Sequence, residues 1–176
     1  MRPGGVRHNR RIEPYIHGNT QRSQCPGQLV AAPLWVAFTI NLGTLLRTCD
    51  AVGACLAVPA TEHYKKALTQ GDTLGPGRRP HVHWVRPNAD QWLTHMKSQG
   101  WRLLAVERTA DATPLALLEL AKVPTVVLLG HERTGIPATW VELADERIAI
   151  PMLGVGTSLN VAVAGSLILY RLAGLS

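Results

Sequence analysis

The stretch Thr125-Val-Val-Leu-Leu-Gly-His-Glu-Arg-Thr-Gly-Ile-Pro137 decides the fold class. Its first five residues are β-branched or aliphatic, the composition of a buried strand. A loop follows at once, with glycines at 130 and 135 that permit a tight turn and close backbone approach. Pro137 then opens a short helical segment to Leu143, and Arg147–Ile150 reads as another strand. The same alternation runs upstream. Strands are expected at Leu34–Phe38, Cys55–Val58, His81–Val85 and Arg102–Val106. Helices are expected over Asn41–Val52, Glu62–Leu68, Ala89–Gln99 and Pro114–Leu120, with a last one over Thr157–Leu172. Strands alternating with helices imply an α/β fold with a mostly parallel sheet flanked by helices. Ligands in such folds sit beyond the carboxyl ends of the strands, so the loops that follow strands carry the chemistry.

The chain has 176 residues, 46% hydrophobic and 17% charged, with a formal net charge of +6. That length predicts one domain with at most an added arm. The charge is uneven. Residues 1–33 carry Arg2, Arg7, Arg10, Arg11 and Arg22 against Glu13 alone. The organisation expected is a basic N-terminal leader over 1–33, rich in Pro and Gly, and a nearly neutral domain over 34–176. Composition excludes collagen-like, coiled-coil and disulfide-framework classes. The three cysteines, Cys25, Cys49 and Cys55, have no CxxC spacing, and Cys49 and Cys55 read as buried inert thiols of a reducing, cytoplasmic setting. No secretory signal is evident, and the longest apolar stretch, around Leu159–Leu172, is too short and too polar for a membrane span. His81 and His83 lack a third ligand nearby, so no metal site is expected. The dinucleotide glycine loop and the serine-hydrolase elbow are missing.

Three loops stand out. The first is Asn41-Leu-Gly-Thr-Leu-Leu-Arg47, where Asn41 is a good helix N-cap. Arg47, six residues on, comes about 240° further round the helix than Asn41. The second is the loop around Gly130, Glu132 and Gly135. Glu132 suits an acid or base, an arginine partner, or an acceptor for loop amides. The third is Ile150-Pro-Met-Leu-Gly-Val-Gly-Thr-Ser-Leu-Asn160, which places Ser158 and Asn160 at a helix start. Either one would cap the helix, so the pair exceeds what capping requires. The helix beyond, with Val161, Val163, Ala164, Leu167, Ile168, Leu169 and Leu172, is apolar nearly all round and needs burial on more than one face.

In this order and spacing, the three loops resemble the motifs of the SpoU/TrmH-type RNA ribose 2′-O-methyltransferases of the SPOUT class. Asn41-x-Gly43-x-x-x-Arg47 resembles the first motif, Leu129-Gly130-x-Glu132-x-x-Gly135 the second, and Ile150-Pro-Met152 with Ser158-Leu-Asn160-Val-Ala-Val-Ala the third. The likeness covers about residues 33–174. It implies a C-terminal trefoil knot, a homodimer and an S-adenosylmethionine cofactor held near Val106, Gly130, Ile150 and Leu159. Val106 replaces the Thr often found there, and Ala162 the usual Ser. The implied reaction is methylation of a ribose 2′-hydroxyl in RNA, with transfer RNA favoured over ribosomal RNA. By match, Arg47 is the catalytic residue, Asn41 holds it, Ser158 and Asn160 shape the site, and Glu132 supports the second loop. Arginine stays protonated in proteins. Arg47 therefore acts either as a base in an unusual environment or, less demandingly, as a cation on the neighbouring phosphate and the developing oxyanion. Asp50 is the other candidate proton acceptor. The leader would add contacts to RNA phosphates. The alternative reading is an RNA-binding protein of the same fold without turnover.

Overall fold

The computed structural model describes residues 28–71 and 79–175. Among these residues seven strands form one sheet: β1 (Leu29–Ala32), β2 (Cys55–Pro59), β3 (Val82–Val85), β4 (Arg102–Val106), β5 (Thr113–Pro114), β6 (Thr125–Leu128) and β7 (Glu146–Ala149). Their order is β3-β2-β1-β6-β4-β7-β5, and every neighbouring pair is parallel. The described residues also form five α-helices: α1 (Thr39–Val52), α2 (Glu62–Gly71), α3 (Ala89–Ser98), α4 (Ala138–Leu143) and α5 (Val161–Ala173), the last following the final strand. The expected α/β class and parallel sheet are both present.

The sheet is buried on both faces. On one, Leu42, Leu45, Leu46 and Cys49 of α1 pack with Tyr64, Ala67 and Leu68 of α2 and Ile168, Leu169 and Leu172 of α5. On the other, Leu93 and Met96 of α3 pack with Trp140 of α4. This explains why Val30, Val126 and their neighbours read as continuous apolar runs rather than alternating ones. Burial pushes the Cys49 thiol up to about 12, helped by the nearby Asp50 charge, so it is the inert thiol expected. Cys55 departs from expectation: it is disulfide-bonded rather than a free inert thiol, which removes the thiol argument for a reducing setting. Among the described residues, no helix is long and apolar enough to cross a membrane.

The start of the fold needs correction. The first strand is Leu29–Ala32, not Leu34–Phe38, so the folded part begins inside the stretch assigned to the leader. Pro33 supplies no N–H and ends the strand. The apolar residues after it form a pinned connection. Tyr64 donates its hydroxyl to the carbonyls of Leu34 (3.2 Å) and Val36 (2.9 Å), and the His63 ring meets the Ala37 carbonyl at 3.1 Å. Residues 1–27, with all five leader arginines, lie outside the described residues. Pro114–Leu120, expected as a helical turn or two, is only partly so. It holds the two-residue strand β5 and one 3₁₀ turn at Leu115–Leu117.

Strand order reverses direction next to β1. The chain steps from β1 through β2 to β3, then returns to place β4, β6 and β7 on the other side. Crevices at such a reversal, beyond the carboxyl ends of the strands, are where parallel sheets bind ligands.

Candidate active site

A cavity of about 600 Å³ lies at that reversal. Its walls are the ends of β4, β6 and β7, the start of α1 and the loop before α5. Val106, Gly130, Ile150 and Leu159, the four positions expected to hold the cofactor, all line it. So do Asn41, Glu132, Ser158 and Asn160.

Three of these side chains are joined. Asn160 donates from Nδ2 to Asn41 Oδ1 at 3.0 Å, and Asn41 donates from Nδ2 to Glu132 Oε1 at 2.7 Å. Each loop thus contributes one member to a continuous polar chain. Asn41 is almost wholly buried, and both ends of its amide are satisfied. Its role differs from the capping expected of it. α1 begins earlier, with Phe38 as N-cap, and Asn41 sits inside the first turn.

Glu132 does the work at the head of α1 instead. Its carboxylate accepts the Ala37 N–H and the Phe38 N–H, both at 3.0 Å, besides the Asn41 amide. Of the three roles open to it, acceptor for loop amides is the one observed. Desolvation works to raise its pKa, but the bonds from Ala37, Asn41 and Phe38 outweigh it and hold the carboxyl below the ordinary carboxylate value. An anion at the positive end of a helix is favourable in its own right.

Asn160 is the N-cap of α5, accepting from Ala162 N at 2.9 Å and Val163 N at 3.2 Å. Its side chain therefore spends its oxygen on the helix and its nitrogen on Asn41. Ser158 is exposed, lines the cavity and takes no part in the cap, so Asn160 alone caps the helix.

Gly130 serves a tighter purpose than approach to a ligand. A Cβ there would lie 2.3 Å from the Gly135 carbonyl carbon and 2.4 Å from Ile136 N. The loop closes on its own start: His131 N donates to Gly135 O at 3.0 Å, and Gly135 N to His131 O at 2.9 Å. Gly135 has φ +70°, the left-handed region, and would press a Cβ against Glu107 Oε2. Glu107, which follows β4 directly, accepts the Ile136 N–H at 3.1 Å. Sequence reading passed over Glu107, although its place just after a strand was the available signal.

Arg47 is the one expected site residue that lies elsewhere. It is exposed, with no hydrogen bond or ion pair among the described residues, and lines a shallow groove of about 390 Å³ with Ile40, Thr44 and Gln70. Ile40, Thr44 and Arg47 share one face of α1, while Asn41 turns to the cavity, as the helical offset requires. In the same groove α1 and α2 meet backbone to backbone: a Cβ on Gly43 would lie 2.9 Å from Gly71 Cα.

Residues 36–170 match the sequence profile of the SpoU rRNA Methylase family. The chain belongs to that family. It is 35% identical over 132 residues to the tRNA (guanosine(18)-2′-O)-methyltransferase of Aquifex aeolicus, covering 74% of this chain and 62% of that protein. The chain thus spans about three-fifths of that relative's length. In three dimensions it resembles the A. aeolicus TrmH/SpoU tRNA modifying enzyme, with TM-score 0.69, 31% identity, and coverage of 84% of this chain and 75% of that one. It also resembles the AdoMet-bound rRNA methyltransferase of Sinorhizobium meliloti, with TM-score 0.70, 25% identity, and coverage of 83% and 56%.

Proposed function

We propose that this chain methylates a ribose 2′-hydroxyl in RNA, using S-adenosylmethionine, with transfer RNA favoured over ribosomal RNA. The observation that carries the proposal is the convergence of Asn41, Glu132 and Asn160 into one hydrogen-bonded chain along a cavity that Val106, Gly130, Ile150 and Leu159 also line. Family membership and the names of the relatives supply the reaction class. The preference for transfer RNA rests on the A. aeolicus relative.

The cavity fits the cofactor. Its volume lies within the roughly 300–1,000 Å³ usual for small-molecule sites, and apolar Val106, Leu129, Ile150 and Met152 mix there with a few polar groups. When bound, S-adenosylmethionine supplies an electrophilic methyl group. The residues of the chain shape and orient the site. Asn41 and Glu132 fix the head of α1 against the second loop, and Asn160 fixes the head of α5 against both. Glu132 is a poor base, because three N–H groups already occupy its carboxylate. Arg47 acts as a permanent cation that positions phosphate and stabilises developing negative charge. The trefoil knot belongs to the same reading, as does a cytoplasmic location, which rests on the RNA-modifying role alone because the Cys55 disulfide speaks against a reducing setting. Contact of the leader arginines with RNA phosphates belongs to it too, and deletion of residues 1–27 tests that contact through RNA affinity and its salt dependence.

Because Arg47 lies off the cavity within one chain, this function calls for a second copy. Val163, Leu167 and Tyr170 form an exposed apolar stripe at helical spacing along α5, which supports a homodimer. Mixing inactive Arg47→Ala with inactive Ser158→Ala tests the arrangement. Recovered turnover is expected if Arg47 serves the partner's cavity; no recovery places its action within its own chain.

The experiment that tests the whole proposal is incubation with total RNA and methyl-labelled donor, followed by mapping of the modified nucleotide. Label in a 2′-O-methyl nucleotide of transfer RNA is expected. Folded protein that binds RNA but leaves it unlabelled would overturn the reading in favour of a binding protein without turnover.

A further inference from the structure

The second loop holds more than the proposed chemistry uses. It is fixed from several sides. His131 and Gly135 close it with two backbone bonds. Glu132 ties it to the head of α1, and Glu107 ties it to the end of β4. His131 Nδ1 accepts the Arg133 N–H at 3.0 Å, which fixes the backbone at the tip. From that braced tip the Arg133 side chain emerges. It is exposed and lines the cavity mouth, and it has no hydrogen bond or ion pair among the described residues.

Carboxylates that could have paired with it are committed to other groups. Glu132 is filled by Ala37, Phe38 and Asn41, and Glu107 by the Ile136 and Arg108 amides. A guanidinium on a rigid loop, beside a cavity and free of acidic partners, is preorganised for a tetrahedral oxyanion, which it can meet with two parallel N–H bonds. Loop bracing removes the backbone share of the ordering cost, leaving only the rotamers of the side chain to be fixed.

We infer that Arg133 anchors a phosphate of the substrate RNA at the cavity mouth, holding the target ribose over the site. The inference rests on the RNA-methylation reading above. An anion from the donor's own carboxylate is the rival source. Arg133 favours the RNA because it stands exposed at the rim, where a polyanion arrives.

The test is equilibrium binding of bulk tRNA, without donor or turnover, across a range of salt, for wild type, Arg133→Ala and Arg133→Lys. Calorimetry with S-adenosylmethionine alone runs in parallel. One lost phosphate contact should weaken tRNA binding by about five- to eightfold at 0.1 M salt and reduce the logarithmic salt slope by about 0.7–0.9. Arg133→Lys should keep the wild-type slope. Donor affinity should stay unchanged in all three proteins. Unaltered tRNA affinity in Arg133→Ala overturns the assignment. So does a lysine variant whose salt slope falls as far as that of the alanine one, or weakened donor binding with tRNA binding intact. Wild-type protein that binds tRNA yet transfers no methyl group sinks the transfer reading alone and leaves the binding comparison intact.

Discussion

Replacing Asn160 by alanine should lower stability by about 2 kcal/mol, from two separable losses. The first is the cap: Asn160 Oδ1 takes two orphan N–H groups at the start of α5. Loss of such a cap to alanine typically costs about 1 kcal/mol. The second is the bond from Asn160 Nδ2 to buried Asn41 Oδ1. Asn160 itself is exposed, so water can follow the deletion, and the penalty falls at about 1 kcal/mol rather than the larger cost of a sealed orphan. For a chain of this size, the sum corresponds to a fall in Tm of roughly 4–8 °C. Urea unfolding at fixed protein concentration is the assay, since association would otherwise shift the apparent value. Asn160→Asp separates the two losses. It keeps a competent cap but lacks the donor, so it should lose only about 1 kcal/mol. A double-mutant cycle with Asn41→Ala should show coupling of about 1 kcal/mol. Strict additivity in that cycle, or an alanine variant within 0.5 kcal/mol of wild type, would refute the reasoning.

The remaining predictions concern the same frame. Glu132→Gln should lower stability at neutral pH by about 1–3 kcal/mol, because a carboxylate accepting three N–H groups becomes an amide whose NH₂ faces donors. The folded carboxyl is held low, so its contribution is present above about pH 4.3 and lost as pH falls toward the folded value; urea titrations should show wild type and variant converging on acidification. Gly130→Ala should disrupt the second loop and abolish donor binding in calorimetry, because its Cβ would meet backbone, which cannot swing aside. Gly43→Ala should destabilise by about 1–3 kcal/mol in urea unfolding despite the better helix propensity of alanine, since α1 and α2 touch at that point.

The sequence revealed the architecture where a short apolar run is buried on both faces. Thr125–Leu128 and Arg102–Val106 are such cases, and both lie in the middle of the sheet. It misled where apolar residues served another purpose. Leu34–Phe38 has a strand's composition, yet its carbonyls at Leu34, Val36 and Ala37 are held by side chains from α2. Tertiary hydrogen bonds of this kind leave no local pattern. The same limit applies at the site. Motif positions identified Asn41, Glu132 and Asn160, but not that they bond to one another across separations of 91 and 119 residues. The expected hold of Asn41 on Arg47 is not met: the Asn41 amide bonds to Glu132 and Asn160, and the helical offset of about 240° leaves Arg47 on another face of α1. Glu107 and Arg133 went unnoticed. Glu107 carries only the weak signal of following a strand and Arg133 none of its own; their contacts with the second loop and the cavity appear only when β4 and β6 lie side by side.

The placement of β1 beside β6 has a kinetic consequence. Val30 pairs with Val126, so the middle of the sheet joins parts of the chain nearly a hundred residues apart. Such non-local pairing makes assembly slow, because a large loop must close before its contacts form. The cavity inherits that dependence: its walls come from both sides of this seam, and no early fragment contains them all. A small molecule that binds there is therefore coupled to completion of the whole domain. Tight ligand occupancy should raise global resistance to unfolding rather than stiffen one loop.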